Sequence, residues 1–257
     1  MYSLKDRIVC VTGASAGIGL ACAQAFAAQG AKLILAARRR DKLAALAAEL
    51  KAVFGTASHI VALDVRDRRA VDKAVKELPA KWRAIEVLVN NAGLSRGLDK
   101  IQEGKISDWE EMIDTNVKGL LYVSRAVLPG MVERGRGHVI NIGSIAGREV
   151  YPGGNVYCAT KSAVAALTKG MRLDLNGTGV RVTTVDPGLT ETEFSIVRFH
   201  GDAEKAGKTY KGFMPLIAED IADAVVYAAT RPLHVDVAAI LVLPTAQAST
   251  MLVHKKL

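Results

Sequence analysis

The sequence predicts an α/β fold: a doubly wound, seven-stranded parallel sheet with helices on both faces, in a single domain spanning residues 1–257. Three observations predict it. Apolar, β-branched runs alternate with Ala- and Leu-rich segments whose apolar residues recur every three to four positions. The strand-like runs are almost continuously hydrophobic, as suits strands covered on both faces. Half of the 257 residues are apolar, enough for one sizeable core.

In chain order the strands are "RIVCVTG" (7–13), "KLILAAR" (32–38), "HIVALDV" (59–65), "IEVLVNNAG" (85–93), "HVINIGS" (138–144) and "VRVTTVDPG" (180–188). "AAILVLP" (238–244) supplies the seventh. Strand and helix in alternation imply right-handed crossovers. Ser107 and Glu110 in "SDWE" predict a capping-box start for a helix running to about residue 133. Asn155 predicts the N-cap of the helix holding residues 157–161. Residues 189–215 break the rhythm, being polar, Gly-containing and weakly periodic. Long irregular loops in compact domains are commonly functional, so this stretch is expected to be a substrate lid.

Composition excludes several classes. Cys10, Cys22 and Cys158 have neither metal-ligand spacing nor an even count, which predicts reduced thiols, no metal site and a cytoplasmic protein. The start "MYSLKDRIVCVTG" lacks a secretion leader's long apolar stretch. No apolar run approaches the ~20 residues that cross a bilayer, so no membrane partner is expected. The net charge is +8, but the basic residues are scattered and lack interleaved aromatics. Nucleic acid is therefore not an expected partner, and a small anionic molecule is.

A cofactor site is predicted where the first strand enters "TGASAGIG" (12–19). Gly13, Gly17 and Gly19, with Ser15, Ala16 and Ile18 between them, let backbone approach a pyrophosphate at a helix start, where N–H groups are free. After the second strand, NAD sites place a carboxylate for the ribose hydroxyls. Here the chain reads Ala37, Arg38, Arg39, Arg40, and guanidinium forks suit a 2′-phosphate. NADP(H) is thus the expected cofactor. Asp64, followed by Val65, ends the third strand at the edge where such folds bind ligands; it is either an adenine partner or a helix cap.

Tyr157 and Lys161 in "YCATK" lie four apart on one helical face. A phenol titrates near pH ~10, and a nearby cation favours its ionised form. Cys158 points elsewhere on the helix and is expected to pack. Arg148 and Arg198 are the candidates for a substrate carboxylate, because arginine presents a cationic fork to such groups.

"TGASAGIG", "NNAG" (90–93), Asn116 in "IDTNVKG", Ser144 in "NIGS", "YCATK" and "DPG" (186–188), in this order, resemble the short-chain dehydrogenase/reductase family over nearly the whole chain. The resemblance implies a Rossmann fold and a nicotinamide cofactor. It implies that Tyr157 exchanges a proton with the substrate oxygen and that Ser144 hydrogen-bonds that oxygen. Lys161 would lower the tyrosine's pKa and hold the nicotinamide ribose, and Asn116 would link Lys161 to solvent through water. Asn91, Ala92 and Gly93 would line the cofactor, with Pro187, Gly188, Leu189, Thr190 and Thr192 closing over it. A homotetramer is also implied, with one interface on the helices at 107–133 and 155–176. "YPGGNVY", "TEFSIVRFHGD" and "KAGKTY" are similar to the branch of NADP-dependent 3-hydroxy acid dehydrogenases, which act on serine, allo-threonine and related acids or semialdehydes. A 3-ketoacyl thioester, sulfonated aldehyde or general ketone reductase, and a non-catalytic NADP-binding regulator, remain the alternatives.

Overall fold

A computed structural model describes residues 1–256. Strands β1 (Ile8–Thr12), β4 (Ile85–Asn90), β5 (Gly137–Ile142) and β6 (Val180–Pro187) are buried along their whole length. β2 (Lys32–Ala37) is buried in all but Lys32. β3 (Ser58–Ala62) and β7 (Ala239–Val242) are only partly covered. The difference follows from position. The sheet runs β3-β2-β1-β4-β5-β6-β7 with every pairing parallel, so β3 and β7 are its edges. They are also shorter than their apolar runs suggested, 58–62 against 59–65 and 239–242 against 238–244.

Alternate side chains of each central strand serve two cores. Val9 and Val11 of β1 join Phe26 of α1 (Gly17–Ala28), Leu43 of α2 (Arg40–Phe54) and Val225 of α9 (Ala218–Ala229). Ile8 and Cys10 join Val71 of α3 (Arg68–Lys76) and Val127 of α5 (Leu120–Glu133) on the other face. The strand order reverses between β1 and β4, and doubly wound sheets bind ligands at that reversal, beyond the carboxyl ends of the strands.

Three local expectations are corrected. The helix expected from residue 107 to about 133 opens one residue earlier. The carbonyl of Lys105 accepts the N–H groups of Asp108 and Trp109, so Lys105 is the N-cap of α4 (Ile106–Ile113) and Ser107 is already helical. The same helix is interrupted by a π-turn at Asp114–Gly119 before α5 resumes it. Asn155 is the first residue of α6 (Asn155–Asp174) rather than its cap, because the carbonyl of Gly154 accepts from Cys158 N–H. Tyr157 still falls in the first turn.

Residues 189–215 are more ordered than their composition suggested. They hold α7 (Phe194–Arg198) and α8 (Ala203–Lys208). The turn between these helices passes through His200 and Gly201 at φ 53° and 95°. Asp202 caps α8 by accepting from Lys205 N–H at 3.0 Å. Among the described residues no helix is long and apolar enough to cross a membrane.

Candidate active site

A cleft of about 360 Å³ opens at the β1/β4 reversal, lined on one side by the turn after β1 and on the other by α7. That volume lies within the roughly 300–1,000 Å³ of small-molecule sites. Gly13 takes φ 67°, and a Cβ on Gly19 would stand 2.4 Å from both Gly13 O and Asn91 Nδ2. The glycines therefore let the turn close against the "NNAG" segment. Thr12 Oγ1 fixes that segment by accepting from Asn91 and Ala92 N–H, while Asn91 Nδ2 donates to Thr12 O. Gly17 faces Thr192 across the opening, with an added Cβ at 3.2 Å.

These residues fit a dinucleotide. The first N–H groups of a helix have no intrahelical partner. α1 begins at the cleft with no side-chain cap and no acidic residue in its first turn, so its free N–H groups suit an anion. Arg38 and Arg39 stand at the same mouth. Arg39 is engaged already: it donates to Ser15 Oγ at 3.1 Å and pairs with Glu193 at 2.9 Å. Asp64 and Val65 line the cleft too. The Asp64 carboxylate is gripped by Arg66 at 2.6 Å, which holds it below the usual carboxylate range. The cap of α3 is Asp67, not Asp64, since Asp67 accepts from Ala70 N–H.

Farther in, Ser144, Tyr157 and Lys161 converge from β5's end and α6. Lys161 is buried, and its Nζ donates to Ile142 O at 2.9 Å. Burial pulls the amine down to about 8, with Asp186 opposing. The Tyr157 ring is buried with it, and burial raises the phenol above its ordinary value. The charge that most opposes this rise is the guanidinium of Arg198, with the Ser144 hydroxyl also acting downward. Arg198 lies over the Tyr157 ring at 5.3 Å, whereas Lys161 Nζ stands at 6.0 Å. The expected partner of the phenol is thus joined by a second cation from the irregular segment.

Asn116 sits inside the π-turn with three hydrogen bonds to its side chain. It accepts from Leu94 N–H and donates to Leu94 O and Thr160 Oγ1. Pro187, Gly188, Leu189, Thr190 and Thr192 also line the cleft. There Gln247 holds Leu189 N–H at 2.8 Å. Cys158 is fully buried, and burial raises its thiol, in keeping with packing.

The two candidate arginines part company. Arg198 is in the cleft, donates to Tyr151 Oη at 3.1 Å, and leaves its buried Nε without a partner among the described residues. Arg148 is outside it. Its guanidinium is spent on the buried carboxylate of Asp186, at 2.6 Å and 2.8 Å. The expectation that Arg148 meets substrate is therefore corrected: it balances a buried acid. Sequence reasoning missed Arg66, Glu193, Phe194 and Tyr210, which line the cleft as well. Only Arg66 carried a local signal, its spacing of two from Asp64.

Comparison with known proteins agrees with this geometry. The chain is 53% identical over 241 residues to the NADP-dependent 3-hydroxy acid dehydrogenase YdfG of Salmonella typhi, covering 93% of this chain and 96% of that one. It is 47% identical over 242 residues to sulfoacetaldehyde reductase 2 of Chromohalobacter salexigens, covering 94% and 95%. Among solved structures, the closed form of serine dehydrogenase complexed with NADP+ superposes with a TM-score of 0.90 at 49% identity, over 97% of this chain and 100% of that one. The sequence profile of the short chain dehydrogenases matches residues 7–202. With the profile spanning most of the chain and the motif residues gathered in one cleft, the chain belongs to the short-chain dehydrogenase family.

Proposed function

We propose that the protein is an NADP(H)-dependent dehydrogenase of short 3-hydroxy acids, or equally a reductase of the matching 3-oxo acids and semialdehydes. The named relatives act on such compounds or on a sulfonated aldehyde. The observation that carries the reading is Arg198, a cation in the cleft beside Tyr157 with a buried, unpartnered Nε. A cationic fork is the natural receptor for a carboxylate or sulfonate.

A nicotinamide held in the cleft would supply or accept the hydride. The first turn of α1 would hold the pyrophosphate, and Arg38 and Arg39 the 2′-phosphate. Asp64 would meet the adenine, with Arg66 steering its carboxylate. Asn91, Ala92 and Gly93 form one wall, and residues 187–192 close the other. Ser144 hydrogen-bonds the substrate oxygen. Tyr157 gives that oxygen a proton in reduction and takes it back in oxidation. Lys161 and Arg198 together offset the burial that opposes the phenolate. Lys161 also holds the nicotinamide ribose. Asn116, held in the π-turn, links Lys161 to solvent through water.

The same proposal includes a cytoplasmic homotetramer. Supporting it are three unpaired buried thiols and exposed apolar side chains on the two long helical segments, Leu121 and Leu173 among them.

The test is Arg198→Gln assayed with serine or 3-hydroxypropionate and with a neutral secondary alcohol. A lost charge-assisted hydrogen bond should raise KM for the acid about tenfold to a hundredfold and change KM for the alcohol far less. Equal effects on both substrates would refute the carboxylate assignment.

A further inference from the structure

At the adenosine end, one ion pair joins the two walls of the cleft. Arg39 follows β2 on one wall. Glu193 immediately precedes α7 on the other, 154 residues later in the chain. Arg39 Nη1 lies 2.9 Å from Glu193 Oε2, Nε donates to Ser15 Oγ at 3.1 Å, and Nη2 donates to Ser15 O at 3.4 Å. All three residues line the cleft. A guanidinium has five N–H donors in a fixed planar fork, so these contacts occupy each of its nitrogens. The carboxylate thus holds one nitrogen of a group that a 2′-phosphate needs. The pair is also weakly held: the two side chains are 43% and 53% exposed, and exposed ion pairs contribute little. A phosphate monoester brings up to two negative charges and three acceptor oxygens against a carboxylate's one charge and two oxygens.

We propose that Glu193 is a cofactor-specificity residue whose carboxylate occupies Arg39 in place of the 2′-phosphate and yields it when NADP(H) binds. Removing the carboxylate's charge then leaves Arg39 free for the phosphate and removes a nearby negative charge. Affinity for the phosphorylated dinucleotide rises, while that for the unphosphorylated one stays put. A clasp that closed over the cofactor and retained it would behave in the opposite way, since its loss would weaken both dinucleotides. The proposal rests on Arg39 being a phosphate ligand, and the experiment tests that separately.

The experiment titrates NADPH and NADH, and then adenosine 2′,5′-bisphosphate and AMP, into wild type, Glu193→Gln, Arg39→Gln and the double variant. Binding is followed by nucleotide fluorescence and calorimetry without substrate. Glu193→Gln should bind NADPH and the bisphosphate about threefold to fivefold tighter, the scale of one exposed ion pair. NADH and AMP should bind as to wild type, and in the Arg39→Gln background the change at 193 should have no effect. If Arg39→Gln keeps the wild-type ratio of NADPH to NADH affinity, the phosphate assignment fails and the proposal falls with it. If Arg39→Gln weakens NADPH selectively but Glu193→Gln leaves NADPH unchanged or weakens it, the assignment stands and the exchange is overturned.

Discussion

Replacing Lys161 by methionine should make the cofactor-free protein more stable at neutral pH while abolishing turnover. Lys161 is buried, and burial lowers its amine from 10.5 to about 8. The folded chain therefore binds this proton less tightly than the unfolded chain does. Between pH 8 and 10.5 the unfolded state carries more protons, so stability rises with pH across that window. Below pH 8 the whole penalty stands. At about 1.4 kcal/mol per tenfold it amounts to about 3 kcal/mol. Methionine keeps the unbranched stem and removes the charge. It also deletes the bond from Nζ to Ile142 O, a loss of about 1 kcal/mol. The variant should thus gain about 2 kcal/mol near pH 7, with the gain shrinking and reversing to a deficit of about 1 kcal/mol above pH 10.5. Urea unfolding of both proteins at several pH values, without nucleotide, reads this directly. A variant less stable than wild type near pH 7, or a gap that does not change with pH, would refute the argument. The trade is the one expected where a site keeps a costly buried charge for function.

Arg148→Gln should lower stability by about 2 kcal/mol, because it takes away the guanidinium paired with the buried Asp186 carboxylate and leaves it Thr184 Oγ1 and the more distant Lys161 charge. Thermal unfolding checks this, and kcat/KM should change by the same factor for acid and neutral substrates. Tyr157→Phe should cut kcat by about a hundredfold to ten-thousandfold, the range of a lost general acid or base. NADPH binding should stay near wild type, which a fluorescence titration would show.

The central strands were legible because their apolar runs are short, rich in β-branched residues and set between helix-period segments, as suits strands buried on both faces. The edges were less so. β3 and β7 lack a neighbour on one side, so apolar residues at their ends do not mark where pairing stops. The break between α4 and α5 was hidden for a different reason: a π-turn changes hydrogen-bond register without needing glycine or proline, and "DTNVKG" reads as helix throughout. Capping was misread at both helix starts because the cap is the residue whose carbonyl accepts the first helical bond. At Lys105 and Gly154 that role falls to the main chain, and no side-chain preference announces it. The order in 189–215 could have been anticipated at one point, since Asp202 before "AEK" is a cap signal.

Spacing of four placed Tyr157 and Lys161 on one face of a helix, and the structure keeps them there. What spacing does not contain is where a long side chain ends. Lys161 reaches back to the end of β5, to Ile142 O, and the tip of Tyr157 is left to other neighbours. The arginine fork beside the phenol comes from α7, 37 residues beyond the motif's end, and Arg148, nine residues before Tyr157, turns away to Asp186. The sequence offered both arginines as candidates and held nothing to separate them. Each ended where a buried charge or a buried ring needed a cation, and both needs arise only once β6, α6 and α7 have packed. A motif therefore identifies the group that reacts, whereas the groups that set its charge state are fixed by tertiary contacts. Under the function proposed above, substrate recognition belongs to the second kind, with Arg198 of α7 as its carrier.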